Sequence, residues 1–103
     1  MADLSVVWTA GASNDFLSAQ SDQADEVGFV YGIDSALSLL KSFPEMGSKV
    51  TFLERHRRIL VGKRREFGIY YTVVGDRLIV SAMVNLRQSP EAIVELLKGR
   101  GAL

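Results

Sequence analysis

Seven of the chain's twelve Lys and Arg residues fall within positions 48–66: Lys49, Arg55, Arg57, Arg58, Lys63, Arg64 and Arg65. With Glu54 and Glu66 the stretch carries a net +5, whereas residues 1–47 hold seven acids and one Lys. Clustered guanidinium and ammonium groups serve two chemistries. They recognise carboxylates or phosphates through charge-assisted hydrogen bonds, or they stabilise the charge that develops in phosphoryl transfer. Cutting RNA without a metal needs more than cations. A base must take the 2′-OH proton and an acid must protonate the leaving 5′-oxygen. Groups able to do this are few. His56 is the single imidazole, and its neighbours Arg55, Arg57 and Arg58 offer it no carboxylate partner, so it reads as a partly exposed residue at a strand start. Tyr70 can stack a base or donate a proton; its competing role is a packed ring with the hydroxyl in water. Tyr71 reads as core.

Lys63-Arg64-Arg65 lies between two strands and presents three cations on a loop, which Arg57 (or Arg58 in another register), Arg77 and Arg87 can join across the sheet. The functional reading is an edge that recognises an anionic partner. The competing reading is a charged loop that keeps a strand edge solvated. Gly62 to Gly68 is no phosphate loop, because no Gly-Lys-Ser/Thr follows and no helix starts there. With no Cys and one His, neither a disulfide nor a metal site is expected, and no cofactor.

The elements that must position these groups follow from periodicity. At 103 residues there is room for one domain that buries roughly two-thirds of its unfolded surface. No apolar run approaches the ~20 residues that span a bilayer, and the start lacks a signal peptide's charged and apolar regions. The expectation is a cytoplasmic protein with no membrane partner. Leu4 to Trp8 is strand-like, and Thr9 is a candidate helix N-cap. Ala12, Phe16, Leu17, Gln20 and Ala24 recur at helical spacing. A second helix runs from Val27 or Phe29 to Ser42 and stops before Pro44, with Gly28 separating the two and Gly47-Ser48 as loop. A strand then ends at Gly62. Residues 66–74 and 77–85 form a hairpin on Gly75-Asp76, which places Phe67 opposite Val84, Ile69 opposite Ala82, Tyr71 opposite Val80 and Val73 opposite Leu78. That face is apolar, and the helices should cover it. On the other face Glu66 meets Asn85, Gly68 meets Met83, Tyr70 meets Ser81 and Thr72 meets Ile79, leaving a shallow apolar floor that suits a protein partner. The Ile93/Leu96/Leu97 stripe of a last helix, opened by Ser89-Pro90-Glu91 and ended at Gly99, can cover part of it. The fold class is α+β: an N-terminal strand, an α-helical hairpin, an antiparallel three-stranded meander and a short C-terminal helix, with helices on one sheet face.

The succession Val-Trp-Thr, Phe43-Pro44-Glu45-Met46-Gly47, Arg58-Ile59-Leu60-Val61-Gly62, Ile69-Tyr70-Tyr71, Gly75-Asp76-Arg77 and Arg87-Gln88-Ser89-Pro90-Glu91 resembles the RelE/ParE toxins. These are bacterial toxins of type II toxin–antitoxin systems, also catalogued as plasmid-stabilisation proteins, and the likeness covers nearly the whole chain. RelE-type members cut mRNA in the ribosome, with Lys and Arg on the open sheet face and a Tyr in the C-terminal segment; ParE-type members inhibit DNA gyrase without known catalysis. In the RelE pattern an Arg follows the aromatic at the start of the third strand. The matching position is Gly68, and residues 86–103 hold neither Tyr nor His. The resemblance therefore implies a ParE-like toxin with no catalytic residues, acting on gyrase and neutralised by a cognate antitoxin in a hetero-oligomer. Its partner-binding residues would be Arg57, Arg58, Lys63, Arg64, Arg65, Tyr70, Arg77, Met83 and Arg87. Two alternatives stay open: a RelE-like ribosome-dependent endonuclease using Lys63, Arg64, Arg65 and Tyr70, and a degenerate member that only binds antitoxin.

Overall fold

The computed structural model of the chain describes residues 3–100. Local chemistry sets its first corner: the Thr9 hydroxyl accepts from the Ala12 N–H at 3.2 Å, so strand β1 (Ser5–Trp8) passes directly into helix α1 (Ala10–Ser21). Asp25 caps helix α2 (Glu26–Ser42) by accepting from Gly28 N–H at 3.0 Å. Gly28 thus sits inside the first turn of α2 and does not separate the helices, because a capping carboxylate needs the third N–H of the helix it caps. Pro44 stops α2 as its ring chemistry requires and opens a 3₁₀ turn, Pro44–Met46.

The strands are β2 (Ser48–Lys49), β3 (His56–Val61), β4 (Phe67–Val74) and β5 (Arg77–Asn85), followed by helix α3 (Pro90–Gly99). They form one sheet of order β1-β5-β4-β3-β2, with β1 parallel to β5 and the other neighbours antiparallel. The expected loop at Ser48 is instead a two-residue edge strand in which Ser48 pairs with Arg58 and Lys49 with Arg57.

The β4–β5 hairpin keeps the expected register only near its turn, where Gly75 adopts φ 61°. Thr72 opposes Ile79, Tyr71 opposes Val80 and Val73 opposes Leu78; a bulge then moves the pairing by one. Beyond it Tyr70 meets Ala82, Ile69 meets Met83, Gly68 meets Val84 and Phe67 meets Asn85. An extra residue in one strand reverses the faces of everything that follows it. Phe67, Ile69 and Tyr71 still point toward α1 and α2, packing with Phe29, Ile33 and Leu40, but Met83 now joins them.

Both sheet faces are covered: the last helix lies on the second face, as its apolar stripe allowed, so the helices are not confined to one side. Ile93 and Leu97 of α3 and Leu53 of the 50–55 loop pack on Tyr70, Ala82 and Val84. Burying each large aliphatic side chain there contributes about 1.5–3 kcal/mol. The placement follows from the bulge: once Ala82 and Val84 face away from α1 and α2, a second apolar surface exists and needs a cover.

Candidate partner-binding site

Lys63, Arg64 and Arg65 are exposed on the turn between β3 and β4. The turn is built, not loose. Arg65 N–H donates to the Gly62 carbonyl at 3.1 Å, and the Glu66 carboxylate accepts from Arg64 N–H at 3.0 Å. Lys63 also lines a hollow with Asp25 and Phe29 at the α1–α2 connection. Arg58 lies on the α3 side of the sheet, its stem against Gly68; a Cβ at Gly68 would stand 3.1 Å from Arg58 Cδ and 3.2 Å from Leu86 Cδ2. Gly68 therefore provides the room that lets the Arg58 stem lie flat. Arg87 is exposed beyond β5 and borders a cavity of about 400 Å³ with Asp15, Asp22 and Glu66.

Four expected placements differ. Arg77 is exposed but begins β5 beside Ser5, at the opposite end of the hairpin from the Lys63–Arg65 turn. With ~3.3 Å per strand residue, the length of β4 separates them by roughly 25 Å, so Arg77 does not extend that cluster. Met83 is 4% exposed and Tyr70 2%; neither floors an open surface, because the bulge turns Met83 into the main core and α3 roofs Tyr70. His56 is buried too. Its Nδ1 lies 2.9 Å from the Glu54 carbonyl and its Nε2 3.2 Å from Ser81 Oγ, so this imidazole is a strut between β3 and the bulge.

Arg57 points to the opposite sheet face from Arg58, as alternation demands. Its Nη1 donates to the carbonyls of Gly47 at 2.7 Å and Glu45 at 3.1 Å. Those carbonyls are positioned by Tyr71, whose hydroxyl donates to the Pro44 carbonyl at 2.7 Å and accepts from Gly47 N–H at 3.0 Å. Burial pushes the Tyr71 phenol above its ordinary range, against smaller opposing pulls from the Gly47 N–H and the Arg57 charge.

Sequence reasoning counted Lys49 and Arg55 in the basic stretch without giving them a place in the site, and it missed Asp15 and Arg100. Asp15 of α1 and Arg100, which follows α3, form a bidentate pair at 2.5 and 2.6 Å, while Asp15 also accepts from Met83 N–H at 3.0 Å. The hydrogen bonds that Arg100 donates to Asp15 hold the Arg100 proton more firmly than usual. Positions 15 and 100 carry no local signal that they meet. Among the described residues no group of three or more His, Cys, Asp or Glu can hold a metal, and no helix is long and apolar enough to cross a membrane.

No family model matches the chain, and neither does any curated protein. Among solved structures it is similar to a chain described as the chromosomal ParDE toxin–antitoxin (TA) system from P. aeruginosa. The TM-score is 0.65 at 17% identity, over 81% of this chain and 96% of that one. At that identity the likeness is one of fold. The chain therefore has a ParE/RelE-like fold.

Proposed function

We propose that the protein is a ParE-like toxin of a type II toxin–antitoxin system, held inactive by a cognate antitoxin and acting in the cytoplasm on DNA gyrase. It acts as one domain through protein contacts and makes or breaks no bond. The observation that carries this reading is the fold shared with a ParDE chain over nearly that chain's full length. The exposed cations of the Lys63–Arg65 turn supply a surface for the acidic side of a protein partner, with charge giving register and association rate more than affinity.

The placement of the two ring groups weighs on the same side. General acid–base catalysis needs a side chain within hydrogen-bond reach of the substrate; Tyr70 is buried in the α3-side core, and both ring nitrogens of His56 already have partners in the Glu54 carbonyl and Ser81 Oγ. The test is a supercoiling assay with purified gyrase. Added protein is expected to abolish supercoiling or to accumulate cleavage complexes, and the product of the neighbouring gene is expected to restore activity. Discrete cleavages in ribosome-bound mRNA, found by primer extension while gyrase is unaffected, would replace this reading with the RelE-like one.

A further inference from the structure

The cations that stand together in the sequence do not share one site, but three others do. Lys49 ends β2, Arg55 sits in the 50–55 loop and Arg57 lies in β3. Arg55 and Arg57 are common walls of two cavities, of about 260 and 340 Å³. Tyr71, Thr72 and Glu45 line the first, and Lys49, His56 and Glu54 the second, so all three cations meet at the second.

The fold holds the guanidinium of Arg57 and the backbone of Arg55 in place. The two carbonyl bonds to Arg57 Nη1 fix its guanidinium from one side and leave Nε and Nη2 for other acceptors. Arg55 has φ 62°, a left-handed backbone that a side chain adopts at a cost and that glycine would adopt freely. The Thr72 hydroxyl clamps it by donating to the Arg55 carbonyl at 2.6 Å. None of the three has a carboxylate within ion-pair distance, since the one ion pair among the described residues is Asp15–Arg100. The three cations outnumber the one carboxylate, Glu54, that shares the second hollow with them, and an anion between the cations relieves their mutual repulsion.

We propose that these hollows bind a phosphate group, held by Arg57 and Arg55 with Lys49 at the rim. A carboxylate offers two oxygens in one plane. A phosphate offers three or four around a tetrahedron, so cations arriving from a strand, a loop and an edge strand can each take one. At about 260 and 340 Å³ the hollows lie at the lower end of the roughly 300–1,000 Å³ of pockets that enclose drug-sized ligands, which suits a single group better than a large molecule. The site stands apart from the Lys63–Arg65 turn, at the other end of β3 and roughly 20 Å away at ~3.3 Å per residue. It does not depend on the toxin reading.

The test follows the backbone amides of residues 49–57 and the arginine Nε–H signals of the full chain by ¹H–¹⁵N NMR. Inorganic phosphate is titrated against sodium chloride at matched ionic strength. Saturable shifts at Arg55 and Arg57 are expected with phosphate and not with chloride. Lys49→Gln/Arg55→Gln, which leaves the Arg57 bonds intact, should weaken binding by at least about tenfold. Lys63→Gln/Arg64→Gln/Arg65→Gln should leave the affinity unchanged. A short oligothymidylate that displaces phosphate from the same signals assigns the group to a nucleic-acid backbone; failure to displace it assigns it to a free phosphate or phosphomonoester. Either result upholds the phosphate site. Shifts no larger than those from chloride, or affinity lost in the Lys63–Arg65 variant and kept in Lys49→Gln/Arg55→Gln, overturn it.

Discussion

The Tyr71 hydroxyl joins the central strand to the 3₁₀ turn whose carbonyls orient Arg57. Replacing Tyr71 by Phe keeps the ring packing and strands the Gly47 N–H and the Pro44 carbonyl. An unsatisfied buried polar group costs about 1–3 kcal/mol, so Tyr71→Phe should lower the urea midpoint by that equivalent without changing the slope. The pH dependence has a definite sign. The folded phenol titrates above its ordinary 10.0, so the unfolded chain loses this proton first as pH rises. The resulting stabilisation is complete below pH 10.0 and is lost upward from there through the folded value. Urea midpoints between pH 9 and 11 should therefore fall more steeply for the native protein than for Tyr71→Phe; parallel curves would show that the phenol is not desolvated.

Among the elements, β5 has the most unusual surroundings. β1 accompanies it only from Arg77 to Val80, and beyond that point side chains replace the missing strand. Thr9 Oγ1 donates to the Ser81 carbonyl at 3.3 Å, Asp15 accepts from Met83 N–H, and Arg100 ties Asp15 to the end of α3. Arg100 thereby pins α3, whose other anchors are Ile93 and Leu97. Arg100→Gln should raise amide exchange across residues 93–99 several-fold while amides 69–71 of β4 stay protected, because local opening of an edge element needs no global unfolding; uniform exchange would make α3 part of the same cooperative unit. The parts of this architecture legible in the sequence are those fixed by near neighbours. Thr9 and Ser89 both cap as read, and Gly75-Asp76 sets the register for four residue pairs on each strand. The bulge was not legible, because β5 is apolar in both frames: Leu78, Val80, Ala82 and Val84 read as one face, while Met83 serves the other equally well. Its consequence, Met83 in the core, depends on packing between distant segments, whereas the apolar stripe of α3 was readable as a cover for the second face. The same division holds at the site. The run Lys63-Arg64-Arg65 announces itself, whereas Lys49, Arg55 and Arg57 meet only because a loop folds back on an edge strand.

At the scale of the whole molecule, zero formal charge conceals a separation of charge. The exposed acids Asp22, Asp25, Glu26 and Asp34 ride on the helical hairpin, while Lys49, Arg55 and the Lys63–Arg65 turn follow β2 and β3 at the sheet edge. Such a molecule has little net field at long range and an oriented one nearby, since the screening length is ~10 Å at 0.1 M salt. An acidic partner approaching within that distance is turned toward the β3 edge before contact. Reversing Lys63, Arg64 and Arg65 to Glu leaves every core contact in place, so thermal unfolding should shift little. On the toxin reading, the rate of association with the antitoxin should fall about tenfold or more at low salt, and the gap from the native protein should narrow as salt rises. The dissociation rate should change less, because rim charges act mainly on encounter. Surface-plasmon rates at several salt concentrations decide the matter. Equal association rates at low salt would make the turn a solubilising edge, and the partner's orientation would then rest on other surfaces.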